Sequence, residues 1–116
     1  MQYLLLIYEP NDMRTKGSDV EGRTMMAEYK EFTDDIVRTG HFKAGNALPT
    51  VNTATTVRVR DGKLQRTDGP FAETKEQLGG YYLIEAANTE EAAKIAARIP
   101  GAKNGSIEVR PIQVFS

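Results

Sequence analysis

Two carboxylates three residues apart, Glu73 and Glu76, sit in the run Asp68-Gly69-Pro70-Phe71-Ala72-Glu73-Thr74-Lys75-Glu76, whose first residue is a third carboxylate. On a helical turn Glu73 and Glu76 would face the same way, and could share a proton, act as general acid and base, or hold a hard cation. Two acidic side chains without further ligands are a weak metal signal, so proton transfer by Asp68 and Glu73 is the sharper expectation. Arg58, Phe71, Glu76 and Tyr82 are the candidate ligand contacts. Arginines on strands, as Arg58, Arg60 and Arg110 would be, recognise a carboxylate or phosphate by paired hydrogen bonds if they enter a cavity, and are merely solvated on an outer face. Arg58 could also face Asp68 or Glu108 across a sheet and hold that partner ionised. Tyr81 and Tyr82 alternate, one toward the core and one free to line a pocket with Phe71.

The same residues have a structural reading that needs no ligand. Asp68 can accept hydrogen bonds from the amides that follow it, Gly69 can take a positive φ, and Pro70 fixes the exit. Phe71 would then plug the loop onto the core, with Lys75 balancing Glu73 and Glu76 in a solvated turn. The single histidine, His41, follows the helix-ending Gly40, where the helix dipole favours a protonated imidazole without any catalytic role. Met25 and Met26 read as core packing.

The chain around these residues is of modest size. Its 116 residues suit one domain, residues 1–116, able to bury a core without disulfides or a structural metal. With 15 Lys and Arg against 16 Asp and Glu, and the cations scattered singly, direct binding to nucleic acid is disfavoured. No apolar run approaches the roughly 20 residues that span a bilayer, and the N-terminal stretch lacks the features of a signal peptide, so a cytoplasmic protein is expected. Absence of cysteine excludes thiolate catalysis and thiolate metal sites, and one histidine excludes a histidine-rich metal site within one chain. Nothing resembles a nucleotide loop or a cofactor anchor, so no cofactor is expected.

Tyr3 to Tyr8 is a continuous apolar run and predicts a central strand buried on both faces. Ser18 and Glu21 have capping-box spacing, after which Met25, Met26, Tyr29, Phe32, Ile36 and Val37 recur at helical period until Gly40. A Gly- and Pro-punctuated passage follows, through Gly45 and Pro49. Thr55 to Arg60 alternates, with Val57 and Val59 on one side and Arg58 and Arg60 on the other, and Asp61-Gly62 is a type I′ turn that returns Lys63 to Thr67 antiparallel. Gly79-Gly80 is expected to close the motif loop before a strand beginning at Tyr81. Asn88 and Glu91 open a second helix, rich in alanine, that Pro100-Gly101 ends. Ser106 to Phe115 reads as a last extended segment disturbed at Pro111.

This order predicts an α+β fold, a ferredoxin-like βαββαβ elaborated by an extra strand, with both helices on one face of an antiparallel sheet. The uncovered face then needs a partner, and a second copy packed face to face would supply it.

The motif run, together with Thr56-Val57-Arg58, Asp61-Gly62, Gly79-Gly80-Tyr81-Tyr82 and Gly105-Ser106-Ile107-Glu108-Val109-Arg110-Pro111, resembles the DGPFAETKE family, the DGPF branch of the YCII-related proteins. The resemblance covers essentially the whole chain. It implies a homodimeric α/β barrel on a ferredoxin-like fold, a small-molecule ligand, and possible cofactor-independent acid-base chemistry. A His-Asp pair proposed for some relatives does not carry over, because His41 does not lie on the early helix where that histidine would be. The resemblance also raises a second role, as a regulatory module that contacts an extracytoplasmic-function sigma factor.

Overall fold

A computed structural model describes residues 1–10 and 19–115, and Ser18, the capping residue of the predicted Ser18 and Glu21 box, lies outside the described residues. The strands and helices in chain order are β1 (Gln2–Pro10), α1 (Asp19–Arg38), β2 (Phe42–Ala47), β3 (Thr55–Arg60), β4 (Lys63–Asp68), β5 (Glu76–Glu85), α2 (Thr89–Ala97) and β6 (Ser106–Pro111). Four strands form an antiparallel sheet in the order β2-β5-β1-β6, and β3 and β4 form a separate two-stranded sheet. The α+β class and the ferredoxin-like order of the main sheet therefore agree with the sequence pattern. One element does not. The second strand of the βαββαβ unit is β2, within the passage read as irregular, and the predicted hairpin is an insertion between β2 and β5. The small and polar residues of β2, Ala44, Gly45, Asn46 and Ala47, hide its strand character, since strand signals rest on β-branched and aromatic side chains. Gly45 is required there: a Cβ at this position would lie 2.8 Å from the ring of Tyr82.

β1 is central, between β5 and β6, as predicted. Its burial is one-sided within the chain. Tyr3, Leu5 and Ile7 are buried under the helices, while Leu4, Leu6 and Tyr8 stand half-buried on the other face. The core joins the buried β1 residues to Tyr82 and Ile84 of β5, Phe32 and Ile36 of α1, and Ala92, Ile95, Ala96 and Ile99 in and after α2. Each large aliphatic side chain so buried stabilises the fold by about 1.5–3 kcal/mol. Alanines at 92 and 96 let α2 lie close on the sheet, as the small residues of this helix predict.

On α1 the buried stripe runs through Phe32 and Ile36, with Met25 and Tyr29 partly covered. Met26 is 73% exposed, contrary to its reading as core, because a residue one step from Met25 is rotated about 100° around the helix. The helix ends as its glycine predicts. Gly40 has φ 83°, its amide donates to the Val37 carbonyl and the His41 amide donates to the Ile36 carbonyl, the paired bonds of a Schellman motif. At α2 the Asn88 side chain accepts from the Glu91 amide at 2.9 Å, so the predicted cap is present.

The paired glycines of β5 do not close a loop but lie inside the strand. The β1–β5 register slips between Ile7 and Tyr8, leaving Gly79 at a bulge where a Cβ would collide with the Glu9 carboxylate. A Cβ at Gly80 would lie 3.0 Å from the Asn46 carbonyl oxygen of β2. The last segment is extended and its strand ends at Pro111, an edge position where the missing amide costs no bond to β1, since the Ile112 amide still donates to the Gln2 carbonyl at 2.9 Å; beyond it Val114 and Phe115 are exposed.

Asp35 of α1 accepts from Arg38 on its own helix and from Arg98 just beyond α2, and Arg98 also stands 5.8 Å over the ring of Phe32. The hydrogen bonds from Arg98 and then Arg38 hold the Asp35 carboxyl below the usual carboxylate range. A depressed carboxylate contributes stability above its unfolded pKa and loses it as pH falls through the folded one. The stability difference between the native chain and Asp35→Asn, read from urea midpoints, is therefore expected to be present at neutral pH and to shrink toward zero on acidification below about pH 4. A difference that persists at low pH would exclude ion pairing as its source. Gly105 gives a second test. A Cβ there would lie 2.0 Å from the Tyr8 carbonyl oxygen. Gly105→Ala must move backbone, and a loss of about 1–3 kcal/mol or more is expected in denaturant unfolding.

Candidate functional site

The motif run begins at the root of the β3–β4 hairpin. Asp61 and Gly62 have φ 53° and 72°, the two positive values a type I′ turn needs, and the predicted hairpin follows from them. At the other end Gly69 takes φ 97°, as expected, and its amide donates to the Ala54 carbonyl at 2.7 Å. Thr56 Oγ1 donates to the Gly69 carbonyl at 2.8 Å. Asp68-Gly69-Pro70 therefore closes the hairpin root.

Beyond it the chain wraps around Gln77, whose side-chain amide donates to the Thr74 carbonyl at 3.2 Å and to the Ala72 carbonyl at 3.5 Å. The stretch 71–75 is not helical, so Glu73 and Glu76 do not share a helical face. Glu73 is exposed in the loop. Glu76 opens β5, half-buried, and accepts from Ser106 Oγ at 2.8 Å. Phe71 is 79% exposed rather than plugged onto the core, in a loop bonded to the hairpin root and to Gln77.

Register separates the proposed arginine partners. Arg58 lies opposite Gln65 and Asp68 opposite Thr55. Directly opposed residues share a face and successive ones alternate, so Arg58 and Asp68 project from opposite faces of the hairpin. Glu108 belongs to the other sheet, opposite Leu6. Arg60 shares the hairpin face of Arg58.

The main sheet offers a different constellation on the face away from the helices. Leu4 lies between Leu83 and Arg110, Leu6 between Tyr81 and Glu108, and Tyr8 between Leu78 and Ser106. Asn46 lies opposite Tyr81 and donates its side-chain amide to the tyrosine hydroxyl at 2.8 Å. Arg110 is thus the one of the three strand arginines on this face. The face combines a sheet centre of leucine and tyrosine with a guanidinium, a carboxylate and an amide at its border.

Tyr82 lies opposite Leu5, on the helix side. Its ring meets Phe32 and Phe42 edge-on at 5.2 and 6.3 Å, and its hydroxyl is 2.7 Å from Thr33 Oγ1. Burial raises its pKa, with the Thr33 bond opposing. Of the adjacent tyrosines, Tyr81 is the one that reaches the open face; the adjacent pair alone could not give this parity, which is fixed by the pairing with β1. Gln77 and Asn46 were also missed, since an amide inside a strand carries no motif. His41 sits between two partners, with Nδ1 2.7 Å from Thr39 Oγ1 and Nε2 3.3 Å from Glu91 Oε1, and so links the end of α1 to the start of α2. Among the described residues, no group of three or more His, Asp or Glu side chains converges as a metal centre would, and no helix is long and apolar enough to cross a membrane.

The chain belongs to the family of proteins with a YCII-related domain, whose model matches residues 1–116. It is 34% identical over 117 aligned residues to an uncharacterised protein of Rhizobium meliloti (strain 1021), the alignment covering 99% of this chain and 94% of that protein.

Tyr82→Phe separates a packing role from a binding one. Loss of the Thr33 hydrogen bond is expected to cost about 0.5–1.5 kcal/mol in chemical denaturation. Any ligand response of the native protein should survive this change, and its disappearance from a folded Tyr82→Phe protein would return the residue to the site.

Proposed function

We propose that the protein is a homodimer whose open sheet faces meet and enclose a small organic ligand, anionic or hydroxylated. The observation that carries this reading is the uncovered face of Leu4, Leu6, Tyr8, Tyr81 and Leu83, with Arg110, Glu108 and Asn46 around it. Half-buried apolar residues at the centre of a sheet favour a second sheet against them, and the polar groups at the margin suit recognition of a carboxylate or hydroxyl. Arg110 supplies the charge, and Tyr81 with Asn46 the orienting hydrogen bonds. Asp68 and Glu73 serve as the acid-base pair of a cofactor-independent proton transfer, with Arg58, Phe71 and Glu76 as contacts at the rim. Tyr82 acts in this reading through the packing beneath Tyr81.

The exposed motif loop favours one other reading, a regulatory module that presents Phe71, Glu73 and Lys75 to a protein such as an extracytoplasmic-function sigma factor. The two are separated by a thermal-shift screen of the purified protein against small carboxylates, hydroxylated aromatics and lactones. A ligand of the native state at 100 times its Kd stabilises by about 2.7 kcal/mol. A rise in Tm that is lost in Arg110→Ala and reduced in Asp68→Asn is expected. A native protein that answers to none of these at millimolar concentration would end the small-molecule reading in favour of the protein-contact one.

A further inference from the structure

The β3–β4 hairpin is built to be covered, and among the described residues its strands pair only with each other. One face carries Val57, Val59 and Leu64, exposed by 55, 62 and 68%, with Val59 directly opposite Leu64, and beside them Arg66 opposite Val57 and Asp68 opposite Thr55 at the root. The other carries Arg58, Arg60, Lys63 and Gln65. This is the two-fold alternation of a strand pair with one face against a protein surface, yet the apolar face lies in solvent. A lone hairpin is marginal in water at best. Phe71, at the root of the same arm, is 79% exposed.

The surface area argues for what covers it. The chain exposes 8315 Å², whereas a compact monomer of 12.9 kDa exposes about 6,300 Å². The excess, about 2,000 Å², is more than the roughly 800 Å² that each partner of a standard interface contributes. The radius of gyration, 16.1 Å, likewise exceeds the about 13 Å expected of a compact chain this long. Charge points the same way. The arm holds the cations Arg58, Arg60, Lys63 and Arg66 against the anions Asp61 and Asp68, and the net charge of −1 leaves the rest of the chain acidic. Of the arm's charges only Arg66 and Asp68 lie on the face with Val57, Val59 and Leu64, so the opposite charges of arm and body draw two copies together at long range rather than forming the contact itself.

We propose that the arm is exchanged between two copies of this chain. Each arm reaches over its partner, lays Val57, Val59 and Leu64 on the partner's surface, and carries Phe71 and the motif loop to the rim of the cavity on the partner's sheet. Each ligand site is then built from two chains. The proposal rests on the homodimer proposed above, and adds that the arm holds it together.

The test uses the full chain. Leu64→p-benzoylphenylalanine is prepared in natural-abundance and ¹⁵N-labelled forms, the two are mixed and re-equilibrated, and cross-links are read by mass spectrometry after irradiation. Sedimentation equilibrium gives the dimer Kd of the native chain, of an arm variant with Val59→Asp and Leu64→Asp, and of Leu6→Asp on the open sheet face. Cross-links joining light to heavy chains, with a Kd raised about tenfold or more in the arm variant, are expected. Cross-links confined to single chains, with dimerisation unchanged in the arm variant and lost in Leu6→Asp, would overturn arm exchange and leave the dimer standing. A native chain that stays monomeric at all concentrations would overturn both.

Discussion

β1 is apolar at every position from Tyr3 to Tyr8 and runs between two neighbours, so water must be kept from both faces at the centre of the sheet. Two helices can cover only one of them. Tyr3, Leu5 and Ile7 take that cover, and the features that fix the helices serve it: the Schellman end of α1, the Asn88 cap of α2, and the guanidinium of Arg98 shared between Asp35 and the Phe32 ring. Leu4, Leu6 and Tyr8 are left on the other face, and the register with β5 and β6 adds Leu83, Tyr81, Glu108 and Arg110 to it. The location of the candidate site thus follows from the one strand whose sequence demands more cover than its own helices provide.

Much of this was legible in the chain. The run at β1, the glycine after α1, the cap pair at Asn88 and the Asp61-Gly62 turn are local signals, each set by a few neighbouring residues, and each matched the structure. Non-local properties were not legible. β2 owes its existence to pairing with β5, which supplies the hydrogen bonds that its own residues do not advertise. The glycines at 79 and 80 look like punctuation in the sequence, but they answer to Glu9 and Asn46, far away along the chain. The assignment of Tyr82 rather than Tyr81 to an open pocket depends on one residue of register, and a single step reverses every side chain of a strand.

The motif run divides in the same way. Gly69 does the local work expected of a turn former, with its positive φ and its amide on the Ala54 carbonyl. The later residues are arranged by contacts the run does not contain, the Gln77 amide and the Ser106 hydroxyl. Glu76 is consequently tied to β6 while Glu73 is free of it, and two carboxylates that look equivalent by spacing occupy different environments. Spacing predicts a shared role only if a common helix holds both groups.

The arm leaves the main sheet at the end of β2 and returns at the start of β5, and these two strands are neighbours, joined just beyond Ala47 by the Leu48 amide on the Gly79 carbonyl. The sheet is therefore stitched shut before the excursion begins. Nothing in the ladder between β2, β5, β1 and β6 depends on how long that excursion is or what it says. The arm can therefore shift as one unit on this base while the sheet beneath keeps its hydrogen bonds.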